Sequence, residues 1–349
     1  MNIYVTYDYE LCFGGQTGTI EKCMLEPTYK LMQLAKLHQA HFTFFVDVLY
    51  LMKLKEYSFI DTLAEEFQAI KKQLEALIEQ GHDVQLHLHT HWINARYDGE
   101  WNLDLPNYRI HKFTTEEINK IVGTSVKFLE DITKQKVFAF RAGGWCLQPF
   151  DKLKEAFANH GVWLDSTVFY KGYNHTPTNL YDFRKSPDLD LWKFDDDPLK
   201  IEADGAFTEL PITSCAVSPL FYWKTVFFKK LFPKKHAVIG DGTFLRSNKA
   251  QMVRLLLTPS HAVVSCDGYR SSLLEPTFKA FSNTSKANFV VIGHPKLMSA
   301  YSLDKLESFI FNTTKQGHRF TSIHEVFGAP KTEEALTQAN SPTELSNNP

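Results

Sequence analysis

Short apolar runs alternate with longer stretches of helical periodicity along most of this chain. Residues 2–6, 41–46, 83–88, 137–140, 162–165, 288–292 and 320–321 read as strands. Helical periodicity covers 27–38, with Pro27 where a first turn tolerates it, and 62–80, stopped by Gly81. It returns at 150–159, ending near Gly161, and at 302–314. Thr114-Thr115-Glu116-Glu117 is a capping box that opens a further helix to about Thr133. Repeated strand–helix units predict an α/β fold with a parallel sheet or barrel. From about 171 to 285 the pattern breaks into short alternating pieces, such as 191–194 and 206–212. That stretch predicts an elaborated insertion of small strands rather than an independent domain. The tail, 331–349, is rich in Thr, Glu, Asn and Pro and is expected to be disordered.

Composition narrows the class. The chain has 349 residues, 44% of them hydrophobic and 22% charged, which suits one large globular α/β domain or two ordinary ones. A net charge of -2 gives no reason to expect nucleic acid as a partner. Five cysteines without a CxxC pair are expected to be reduced thiols. The chain opens on a strand and has no run of about 18 apolar residues, so a cytoplasmic protein is expected. One segment, 220–236, is aromatic and basic. The plainer reading is a helix docked on the domain with its lysines solvated; the other is peripheral membrane contact.

Chemistry concentrates at strand ends. Val84-Gln85-Leu86-His87-Leu88-His89-Thr90-His91 closes one strand, and the spacing of His87 and His91 lets both imidazoles point at one ion. His89 is taken to alternate away from them and to support the pair. Thr6-Tyr7-Asp8-Tyr9-Glu10 closes the first strand with two acids. Two neutral nitrogens, a carboxylate and an open position describe a hydrolytic metal site. Arg141, Asp165 and His294 follow three further strands, so five strand ends deliver polar groups to one face of a barrel. Trp92, Tyr97, Trp101 and Tyr108 form either a substrate wall or loop packing. Glu209 has no assigned role.

In this order the motifs resemble those of the NodB-homology polysaccharide deacetylases, over about residues 1–325. They are Thr6-Tyr7-Asp8-Tyr9-Glu10, His87-Leu88-His89-Thr90-His91, Arg141-Ala142-Gly143-Gly144-Trp145, Asp165-Ser166-Thr167 and Ile292-Gly293-His294. The first two are similar to those of a subgroup associated with lipopolysaccharide or capsule assembly. The resemblance implies a distorted (β/α)7-type barrel over 1–330 and removal of acetate from an N-acetylated amino sugar, free or carried on a nucleotide or lipid. It implies Glu10, His87 and His91 as ligands of a divalent metal, zinc first, with nickel or cobalt suiting the same donors. Asp8 becomes the catalytic base, oriented by Arg141, and His294 the acid, oriented by Asp165. The backbone N–H of Trp145 becomes an oxyanion donor. The family's first motif carries adjacent aspartates; here Tyr9 stands in the second place, so Asp8 as ligand and Glu10 as base is the reverse assignment. Gly143-Gly144 stand where a proline is common.

Two rival readings differ in class. One is a metallo-amidohydrolase that uses His87 and His89 as its metal pair. The other is a non-catalytic carbohydrate-binding relic that kept the barrel and lost turnover.

Overall fold

The computed structural model describes residues 1–176, 178–243 and 249–328, so the 331–349 tail lies outside the described residues. Its central sheet is built from β1 (Asn2–Tyr9), β2 (Thr43–Asp47), β3 (Asp83–Leu88), β4 (Ala139–Ala142), β5 (Leu164–Asp165), β6 (Phe207–Glu209) and β7 (Asn288–Gly293). These strands are parallel and run β6-β5-β4-β3-β2-β1-β7 across the sheet, with Trp192–Phe194 antiparallel on the outer edge of β6. Beyond β6 the chain curls the sheet back on itself. Thr213 N–H donates to Val290 O, Val264 N–H to Thr213 O, and Ile292 N–H to Val264 O. The result is a distorted barrel with an irregular seam between β6 and β7.

The strands are apolar on both faces because both are covered. Ile3, Val5, Tyr7 and Tyr9 join the large core beneath the helices, whereas Tyr4, Phe45, Phe138, Leu164 and Val290 form a smaller cluster of their own. Successive strand residues point to opposite faces, so residues of the parity of Tyr4, Thr6 and Asp8 share the inner face.

The helices follow the predicted spacing. Glu26–His38, Asp61–Glu79, Thr115–Thr133, Asp151–Asn159 and Ala300–Lys315 pack outside the sheet, and the Thr114 capping box forms as expected. A helix at Val48–Glu56 was not legible in the sequence. It buries Val48, Leu49, Tyr50, Leu51 and Leu54 around its circumference, so no polar stripe marks it as helical.

The stretch 171–285 is more than an insertion. It contains small hairpins, but it also supplies β6, the seam residues, and the helices Pro219–Leu231, Lys249–Leu257 and Leu274–Phe281. The aromatic segment is helical as expected and docks by a half-buried face, with Phe221 and Phe228 against Tyr269 and Tyr222 bonded to Ser260, while Lys224, Lys229 and Lys230 are exposed. No helix among the described residues is long and apolar enough to cross a membrane.

Candidate active site

β1 and the residue after it place Asp8 and Glu10 two positions apart, hence on one side of the strand. β3 does the same for His87 and His89. Glu10 Oε2 lies 3.1 Å from His87 Nε2 and 2.6 Å from His89 Nε2, and the two Nε2 atoms are 2.9 Å apart. All three side chains are buried. His87 Nδ1–H donates to the carbonyl of Arg141 at 2.7 Å, which leaves its Nε2 lone pair for a cation. Ligands on a tetrahedral zinc stand about 3.4 Å apart. The cluster therefore accommodates a divalent ion if each donor withdraws by a few tenths of an ångström. The donor set, two imidazoles and one carboxylate, suits zinc and equally nickel or cobalt.

The trio brought together differs from the expected ligand set. His91 is not in the cluster among the described residues; His89 is. In an extended strand residues 87 and 89 face the same way, and β3 then ends. A 3-10 turn at Thr90–Trp92 carries His91 aside, where its ring stacks on Tyr108 with centroids 5.2 Å apart. Neither ring nitrogen of His91 has a hydrogen-bond partner.

Arg141 is paired with Asp8. Its Nη1 donates to Asp8 Oδ1 at 2.9 Å, while Nη2 reaches Thr6 Oγ1 and Ser166 Oγ, and Nε reaches Ser166 O. The guanidinium also lies over Phe45, 4.2 Å from the ring centroid, so every part of it is held.

The partner of His294 is different from the one expected. Asp267 Oδ2 lies 2.9 Å from His294 Nδ1, and its Oδ1 accepts the His294 backbone N–H. Asp165 instead accepts from Thr167 N–H and Oγ1–H and faces Glu209 across the β5–β6 pairing. Glu209 is buried and its Oε2 has no donor. Burial together with the Asp165 charge raises its pKa well above the carboxylate range, which favours the uncharged form. Asp267 was missed, although the apolar run before Cys266-Asp267-Gly268 marks it as another strand-end acid.

Lys296 was also missed. It is buried, and its ammonium donates to Glu10 Oε1 at 2.8 Å and sits over the Phe13 ring. Two residues after His294, it carried no motif to single it out.

The charges are graded. Burial opposes a proton on His87, but Asp8, Glu10 and Asp47 outweigh it and lift its pKa to about 9. Burial dominates at His89 and lowers it to about 4. For His294, burial is overcome by Asp267, Asp8 and Glu10, so its pKa is raised. Burial pushes Asp47, which accepts from Trp92 Nε1 and His89 N–H, up to about 8.

These groups surround a cavity of about 160 Å3 that Asp8, Glu10, His87, His89, Arg141 and His294 share with Tyr108 and Trp145. His294 Nε2 stands 3.6 Å from Asp8 Oδ2 across it. Trp145 enters from a left-handed turn, φ 59° after Gly144 at 61°. Tyr108 thus reaches the wall, while Trp92 is loop packing, its ring tilted against Tyr50 with centroids 4.7 Å apart.

No family model matches the chain, and no curated protein matches it. Similar solved structures are polysaccharide deacetylases and a relative without activity. A protein from Mycobacterium smegmatis, described as a candidate polysaccharide deacetylase, is 14% identical over 100% of this chain and 94% of its own, with a TM-score of 0.49. The polysaccharide deacetylase Bc1974 from Bacillus cereus is 14% identical over 94% of each chain, TM-score 0.40. BA3943 of Bacillus anthracis, a pseudoenzyme of carbohydrate esterase family 4, is 11% identical over 93% of this chain and 64% of its own, TM-score 0.40. These are likenesses of overall fold.

Proposed function

We propose that this protein is a metal-dependent N-deacetylase that releases acetate from an N-acetylated amino sugar in surface-glycan (lipopolysaccharide or capsule) assembly. One observation carries the reading. Two oriented acid–base groups, Asp8 on Arg141 and His294 on Asp267, face one cavity beside a buried Glu10–His87–His89 cluster.

Glu10, His87 and His89 would hold the divalent ion, for which zinc, nickel and cobalt all suit the donors. When bound, such an ion lowers the pKa of a coordinated water to about 7 and polarises a carbonyl. Asp8 then takes the proton of the attacking water through Oδ2, because Arg141 occupies Oδ1. The acetamide C–N bond breaks, and His294 gives its Nε2 proton to the departing nitrogen. Asp267 holds Nδ1–H and so fixes both the ring and its charge. The backbone N–H of Trp145 is the donor proposed for the oxyanion. The products are acetate and a free amino sugar. The surface-glycan setting rests on the likeness of the first two motifs to that subgroup.

The binding-relic reading has one observation in its favour: Lys296 already neutralises Glu10 without a metal. Two measurements separate the readings, namely zinc content after dialysis and acetate freed from a panel of N-acetylated sugars. Stoichiometric zinc with acetate release supports the deacetylase. Sugar binding without zinc or acetate supports the relic.

A further inference from the structure

We propose that a second cleft, next to the catalytic cavity, receives the phosphate or diphosphate of a phosphate-linked amino sugar. The inference rests on the deacetylase reading and extends it to the other end of the substrate. The cleft holds about 620 Å3, and Lys171, Arg184, Arg254 and Arg270 line it without a single carboxylate. In a chain of net charge -2, four formal positive charges around one cleft are not an average of the surface. Arg184 is held bidentate by Asp182 and lies over Tyr173, 4.2 Å from its centroid. Among the described residues, Lys171, Arg254 and Arg270 have no ion-pair partner. An N-acetylated neutral sugar offers these cations hydroxyl and carbonyl acceptors but no counter-charge. A phosphate does, since guanidinium forks match its oxygens two at a time.

Position ties the cleft to the chemistry. Trp145 lines both the cleft and the catalytic cavity, and its indole N–H is buried with no acceptor. A sugar with its acetamide at Asp8 and His294 would thus extend its far side past Trp145 toward the cations.

The carrier can be a nucleotide or a lipid, and the shared chemistry is the phosphate ester. The surroundings lean toward lipid. Tyr222 and Arg254 come from the helices Pro219–Leu231 and Lys249–Leu257. Outside the cleft the first of these helices leaves Leu220 (59%), Trp223 (53%) and Phe227 (60%) exposed.

Calorimetric titration of the full chain with inorganic pyrophosphate at low salt tests the site. Wild type binds, and Lys171→Gln/Arg254→Gln binds about tenfold or more weakly with an unchanged melting temperature. Lys36→Gln/Lys127→Gln, which removes the same charge from exposed positions elsewhere, binds as wild type does. The site is overturned if wild type does not bind, if the two double variants bind equally, or if glucuronate competes as well as pyrophosphate. Competition by uridine diphosphate or by farnesyl diphosphate in micelles then identifies the carrier, the stronger competitor naming it. The two readings fail separately. Acetate release from N-acetylglucosamine oligomers, with pyrophosphate binding insensitive to the variant, removes the phosphate site alone. Variant-sensitive pyrophosphate binding, with no acetate released from any N-acetylated sugar, removes the deacetylase alone.

Discussion

At the scale of single residues, the site turns on which two of three histidines share an acid. Backbone parity puts His89 beside His87, and the turn after β3 sends His91 against Tyr108. His89→Ala should therefore lose zinc on dialysis as His87→Ala does, whereas His91→Ala keeps it; metal analysis of the three variants decides. The same distinction applies to the two aspartates near the catalytic groups. Asp267 touches His294 and Asp165 does not. Asp267→Asn removes the charge that holds the imidazolium, so the His294 pKa falls in NMR titration of the metal-free protein. If the proposed acid role is right, turnover falls by about 10²- to 10⁴-fold with the metal retained. Asp165→Asn leaves the His294 pKa where it is.

At the scale of elements, short parallel strands bring acids into register whether or not chemistry needs them. β5 and β6 set Asp165 opposite Glu209, behind the Ser166 that grips Arg141. A raised folded pKa means that Glu209 favours its protonated form in the native state. Its contribution is intact below the ordinary carboxylate range and is lost as pH climbs through the folded pKa. Glu209→Gln keeps the shape and an acceptor for Val168 N–H, and it does not ionise. Urea unfolding should show the variant gaining on wild type between pH 5 and pH 8; an equal difference at both values would place no proton on Glu209.

At the scale of the molecule, the barrel closes through a seam and not through a regular ladder. Thr213 is its pin: its N–H and its Oγ1 both serve Val290, and its carbonyl serves Val264. Thr213→Val keeps the volume but strands the Val290 N–H, a loss of about 1–3 kcal/mol. Denaturant unfolding should register it as a shifted midpoint with an unchanged slope. The seam also places Asp267, two residues past the Ser265–Ile292 bridge, against His294.

Local patterning alone determined the strand–helix alternation, most element positions, the Thr114 cap and the strand-end groups Asp8, Glu10, His87, Arg141 and His294. Those signals are carried by near neighbours in the chain: period, capping and turn chemistry. Parity was present as well, and a strict count of two would have paired His87 with His89. Only the tertiary structure decided the partners. Asp267 meets His294, Lys296 meets Glu10, and Trp145 divides the catalytic cavity from a cationic cleft, because barrel curvature joins segments whose separation in sequence carries no periodic trace.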